Sequence, residues 1–187
     1  MRGGERAPAA DAWICEELTA YIVEADRRIA KFAQTNPVTR RLMQVPGVGP
    51  ICAASFYSII ENPHRFARST DVGAYLGMVP KLRQSGTSLH HARITRTGNA
   101  MTRSHLFLAA SVMLTRSVEQ CAIRDWGAAL RARVGYRKAR LAVARKIATA
   151  MLSIWKTAAT LCPTQSVSTP LRERRIWSPM QTVEMRL

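Results

Sequence analysis

Ser85 and Gly86 sit among four cations, Lys81, Arg83, Arg93 and Arg96, in a stretch (residues 80–98, PKLRQSGTSLHHARITRTG) that holds several hydroxyls. A serine hydroxyl is a weak nucleophile at neutral pH. To attack phosphorus it needs close approach, positive charge to stabilise the developing phosphorane, and a base or metal to take its proton. Gly86 offers the approach and the four cations offer the charge. Ser88 shares the stretch but lacks an adjacent glycine. On residue types alone a plainer role is favoured, because a Ser-Gly pair commonly stabilises a turn.

A second run with chemical potential is Leu42 to Ala54 (LMQVPGVGPICAA). An apolar helix that stops at Pro46-Gly47-Val48-Gly49 and restarts with small residues makes a tight helical hairpin. Glycines adopt backbone angles closed to other residues and carry no side chain to hold a phosphate off. The amides of Val48, Gly49 and the next helix's first turn can therefore face an anion. Pro50 fits that first turn, where its missing N–H costs nothing. Spacing alone also allows a plain helix–helix corner.

Charge separates the two readings. The chain has 28 Lys+Arg against 12 Asp+Glu, a formal net of +16. Between Arg40 and Thr160 lie 19 basic residues and four acidic ones, Glu61, Asp71, Glu119 and Asp125. A solvated helical surface mixes its signs, so this excess points to a polyanionic partner, and phosphate is the usual one. The candidate nucleic-acid contacts are Gly47, Val48, Gly49, Lys81, Arg83, Arg93, Arg96 and Arg103. An anionic membrane competes less well, since no apolar run reaches the length that spans a bilayer and no signal-peptide pattern opens the chain.

No metal is expected within this chain. Cys15, Cys52, Cys121 and Cys162 are far apart, with no C-x-x-C pair; they read as buried thiols of a reducing cytoplasm rather than a zinc site or a disulfide framework. His90 and His91 are adjacent, and adjacent positions rarely converge on one ion.

The elements that must position these residues read as all-α. With 187 residues and 47% hydrophobic content the chain can bury a core. Residues 1–11 suggest a flexible leader. Residues 12–36 read as a long coiled-coil-like helix: Cys15, Leu18, Ile22, Ala25, Ile29 and Phe32 alternate spacings of three and four. That seam predicts self-association through residues 12–34, with an amphipathic helix lying on its own domain as the alternative. Residues 37–162 form the expected compact helical domain, and 163–187 an expected mobile tail. Within the domain the pattern predicts the hairpin, a helix from Ile51 to about Glu61, a short helix around Val72 to Met78, and a non-helical basic loop over 80–98. Helices follow from Asn99 to about Val118, Trp126 to Val134, and Lys138 to Leu161. No strand pattern and no repeat is convincing.

Taken in order, PGVGP with Ala53-Ala54, Arg65-Phe66, AYLGMVP (74–80), QSG (84–86), RITRTGN (93–99) and KARLAVARKIATAMLSIW (138–155) resemble the C-terminal transposase domain of the insertion-sequence-110 family, with its 116 and 902 types, over roughly residues 12–161. The resemblance implies a recombinase that moves a mobile DNA element, guided by a structured bridge RNA, through a helical domain that supplies a serine nucleophile. The serine before the glycine, Ser85, would be the residue joined to DNA, with Ser88 the runner-up; this reverses the preference drawn from residue types alone. The family also carries an N-terminal nuclease-like domain whose acidic residues bind magnesium. The chain begins within the helical connection between the two, so the expectation is a truncated or split member whose serine proton is taken by the missing half. The remaining alternative is a non-catalytic DNA- and RNA-binding helix-hairpin-helix module.

Overall fold

The computed structural model describes residues 8–85, 88–116 and 120–157, with side chains at all of these except 8–12, 82–85 and 88–92. Seven α-helices and one two-stranded ribbon make up its regular structure. The expected tail, 163–187, lies outside the described residues. Helix α1 (Pro8–Thr35) starts a little inside the expected leader. Asn36 then caps α2 (Pro37–Leu42), its side chain accepting from the Val38 and Thr39 amides. Such a cap satisfies amides that a helix start leaves without partners.

The core is built around α7 (Tyr136–Thr157). Its buried stripe runs Ala139, Val143, Ala144, Ile147, Ala148, Met151, Leu152 and Ile154. The alanines let neighbouring axes come close, and the larger residues fill the gaps between them. Against this stripe pack α5 (Ala100–Thr115), through Leu106, Ala109, Ala110 and Met113, and α6 (Ala122–Val134). Helix α3 (Pro50–Ile60) meets α5 from the other side, burying Phe56 and Ile60. The Ser55 and Thr102 hydroxyls join the two at 2.7 Å. Cys52 is buried in the same layer, and burial pushes its thiol up to about 12, so it is an unreactive core residue.

Only the C-terminal end of α1 belongs to this core. Ala33 is fully buried, Thr39 donates to the Ala33 carbonyl, and Phe32 meets Tyr57, which stacks on Trp155 at 5.2 Å. Upstream the helix leaves the domain: Trp13, Leu18, Tyr21 and Ile22 are all more than half exposed.

Residues 80–98 correct the expected loop. Strands β1 (Pro80–Ser85) and β2 (Ser88–Ile94) form an antiparallel ribbon, with an irregularity near Pro80. Its composition hid it, because strand prediction relies on alternation of apolar and polar residues. One face of this ribbon carries Arg83, Ser85, Ser88 and His90, and on the other Leu82 and Leu89 are too few to give an alternating pattern along either strand.

Candidate nucleic-acid interface and serine ribbon

The residues on either side of the ribbon hold its base. A short helix, α4 (Val72–Tyr75), leads into it, and the chain returns along α4 after β2. The Thr95 amide donates to the Val79 carbonyl, and the Arg96 amide to that of Gly77. Gly98, at φ +84°, passes so close to Tyr75 that a Cβ would stand 2.2 Å from its carbonyl oxygen. No other residue fits there without moving backbone. Asn99 then caps α5 through the Thr102 amide. The AYLGMVP and RITRTGN runs are therefore the two halves of one clamp.

Arg103 completes the clamp, and this corrects its expected role. It is 9% exposed, and its guanidinium donates to the carbonyls of Leu76 at 3.1 Å and Thr97 at 3.3 Å. A buried guanidinium spent on backbone carbonyls holds the ribbon's base in place and is not available to a phosphate. Sequence reasoning placed Arg103 near the loop but could not tell inward from outward.

Along the ribbon, Cα pairing sets Ser85 opposite Ser88, Gln84 opposite Leu89, Arg83 opposite His90 and Leu82 opposite His91. Side chains alternate between faces and directly opposed residues share one. Arg83, Ser85, Ser88 and His90 therefore belong to one face of the ribbon, and Leu82 and His91 to the other. The two histidines that are adjacent in sequence are on opposite faces. Gly86 lies outside the described residues. Lys81, Arg93 and Arg96 are exposed around the ribbon's lower half. His90, weighed in the sequence only as a metal ligand beside His91, takes its place opposite Arg83 from the hairpin register.

The hairpin at 42–54 is less open than its glycines suggest. Gly47, at φ +84°, packs on α5, where a Cβ would stand 2.9 Å from the Ala109 carbonyl oxygen. Val48 is buried, and its amide donates to the Val45 carbonyl. Internal packing thus accounts for the glycine at 47, and the Val48 amide is already spent within the turn. Gly49 differs: a Cβ there would meet nothing within 4 Å, and no side chain caps the α3 N-terminus that follows.

Several other cations are held by the fold. Arg65 lies over the Phe66 and Tyr75 rings, Arg140 over Phe107 and Tyr136, and Arg131 over Tyr136. Lys156 donates to the Phe66 carbonyl. The described carboxylates do not fit a magnesium site. Glu61 ends α3, the Asp71 side chain accepts from the Arg68 amide, and Asp125 sits in the first turn of α6. No three His, Cys, Asp or Glu side chains converge among the described residues, whereas a two-metal centre needs carboxylates around ions about 4 Å apart. Among the described residues, too, no helix is long and apolar enough to cross a membrane.

Residues 39–124 match the model of the Transposase IS116/IS110/IS902 family. The transposase for insertion sequence element IS1111A of Coxiella burnetii is 30% identical over 126 residues, 67% of this chain and 35% of that protein. The y4pF/y4sB protein of Sinorhizobium fredii, which also bears a transposase name, is 32% identical over 98 residues, 52% of this chain and 25% of that protein. The transposase for insertion sequence element IS1328 of Yersinia enterocolitica is 26% identical over 104 residues, 56% of this chain and 30% of that protein. The chain thus spans about a quarter to a third of these relatives' lengths.

Proposed function

Because the chain belongs, through residues 39–124, to the IS116/IS110/IS902 transposase family, we propose that it is a DNA-transposition domain whose serine ribbon meets a DNA phosphodiester. The observation that carries this reading is the register of β1 and β2, which groups Ser85, Ser88, Arg83 and His90 on one face of a ribbon clamped at its base. A two-stranded ribbon is narrow enough to enter the major groove of a duplex, and the exposed Lys81, Arg93 and Arg96 flank its entry.

In the proposed step Ser85 Oγ forms a bond to phosphorus while one ester P–O bond breaks. The leaving oxygen takes a proton from water. The serine proton goes to His90, which shares the face by register; imidazole is the side chain suited to accept a proton near neutral pH. Arg83 balances charge as the phosphorane forms. A guide RNA, which the resemblance implies, supplies sequence choice, and association through α1 brings two ribbons to one DNA.

A second reading keeps the binding and removes the chemistry. It is favoured by the direct pairing of Ser85 with Ser88 in the ribbon, a structural place that needs no chemistry. Incubation with duplex DNA and guide RNA, followed by denaturing electrophoresis for a protein–DNA adduct, separates the two. The expected result is an adduct with parent and Ser88→Ala protein and none with Ser85→Ala, at unchanged DNA affinity. An adduct formed equally by Ser85→Ala removes that serine from the mechanism. Absence of adduct from every form, with binding intact, leaves the binding module.

A further inference from the structure

Helix α6 carries an aromatic that the core does not use. Its buried contact is Gly127, where a Cβ would stand 2.7 Å from Val143 Cγ2 and 3.1 Å from Leu114 Cδ2. That glycine lets α6 settle against α7 and α5, and it fixes which way the rest of the helix turns. Trp126, Ala129, Leu130 and Arg133 recur at spacings of three and four, so they share one face. This face is rotated away from Gly127 and lines a cleft of about 260 Å³. Trp126 is 38% exposed.

Three features define what would fit. Lys146 of α7 places its ammonium 4.2 Å from the Trp126 ring centroid yet does not line the cleft. The indole is therefore held by a cation on one side while another part of it faces the cleft. At this volume the cleft lies just under the usual range for drug-sized ligands and suits a single flat ring. Charge supplies the third feature. Arg133 lines the cleft, Arg137 is exposed at the start of α7, and Asp125 is the one carboxylate on α6. A planar apolar surface bordered by cations is how proteins hold an unpaired base together with its phosphates.

We propose that the Trp126–Arg133 cleft is a second nucleic-acid site, distinct from the ribbon and beyond residues 39–124, that takes one unpaired base by stacking on the indole, with Lys146 backing the ring and Arg133 meeting an adjoining phosphate. The site gives the domain a grip on single-stranded nucleic acid, which a ribbon suited to duplex grooves does not provide.

The test uses the full chain and short probes of equal charge: a thymidine tetranucleotide, its uridine RNA counterpart, and the same deoxy backbone with tetrahydrofuran in place of every base. A duplex of about 20 base pairs serves as a separate arm. The parent should bind the base-bearing probes at least about five-fold more tightly than the abasic one, the lower end of what one stacked base contributes. Comparison of the DNA and RNA probes shows which the cleft prefers. Trp126→Ala should erase the discrimination and Trp126→Phe should retain part of it. Ala129→Leu, a change at an exposed helical position, should erase it by filling the cleft, which keeps the test sharp if Trp126→Ala is unstable. Arg133→Ala should weaken all probes alike. Equal binding of base-bearing and abasic probes by the parent overturns the proposal, as does discrimination that survives both Trp126→Ala and Ala129→Leu. A change in indole fluorescence that follows protein concentration without any probe, and that Trp126→Phe abolishes, would assign the cleft to a second copy of the chain and likewise overturn it. Duplex binding without base discrimination sinks this site and leaves the ribbon reading standing, whereas base-dependent binding without duplex affinity does the reverse.

Discussion

Replacing Arg103 with methionine keeps most of the side chain's length but deletes the donor that the carbonyls of Leu76 and Thr97 share. Leu76 is fully buried, so water does not readily replace the partner its carbonyl loses, whereas Thr97 is exposed and its carbonyl can turn to solvent. The expected cost is about 2–3 kcal/mol, the range for a charged hydrogen bond removed from a buried acceptor. Chemical denaturation of parent and Arg103→Met protein measures it directly. Arg103→Lys should rescue part of the loss, because both bonds leave the one nitrogen Nη1 and an ammonium carries three donors. Unchanged stability in Arg103→Met would show that the clamp does not depend on this residue. The same residue illustrates a general limit. In sequence Arg103 is one more member of a basic cluster, and only the positions of Leu76 and Thr97 make it an internal strut.

At the scale of elements, α1 and the ribbon were legible to different degrees. The spacing of Cys15, Leu18, Ile22, Ala25, Ile29 and Phe32 read correctly as a long helix, because apolar periodicity reports a helical face whatever covers it. What covers that face is a separate matter. Leu18 and Ile22 are 55% and 60% exposed, which fits a seam awaiting a second copy. The double substitution Leu18→Asp, Ile22→Asp should convert an oligomer to monomer in sedimentation velocity, since two carboxylates would enter an apolar interface. A parent chain that is already monomeric at micromolar concentration defeats the prediction. The ribbon was not legible, because one of its faces is polar and the apolar residues of the other, Leu82 and Leu89, make no sustained alternation, while the contacts of Gly98 and Arg103 at its base come from outside the strands. Helices α5 and α7 were found close to their observed limits through apolar stripes that the core does bury. The candidate serine could be picked out within its run, but the place of His90 on its face emerged only with the register, and the two glycines of PGVGP turned out to serve different ends. Gly47 makes room for α5; Gly49 stays open.

For the whole molecule, the net charge of +16 is not one pool. Arg65, Arg103, Arg131, Arg140 and Lys156 are engaged with rings or carbonyls of their own chain, whereas Lys81, Arg93 and Arg96 stand exposed beside the ribbon. Duplex affinity should therefore fall steeply as salt rises, because each neutralised phosphate releases counterions. The double-logarithmic slope changes by about 0.9 for each phosphate met. Substituting Lys81, Arg93 and Arg96 together with serine should flatten that slope by roughly 2–3, if each meets one phosphate, while leaving thermal stability close to the parent's. Substituting Arg65 and Arg140 should do the opposite, lowering stability through lost ring contacts and changing the slope little. Scrambling the duplex sequence should alter neither slope, since contacts to phosphate carry no base identity. Titration of parent and variants across a salt series, beside their melting curves, distinguishes these outcomes. A slope that stays unchanged in the Lys81, Arg93, Arg96 variant would move the duplex contact away from the ribbon.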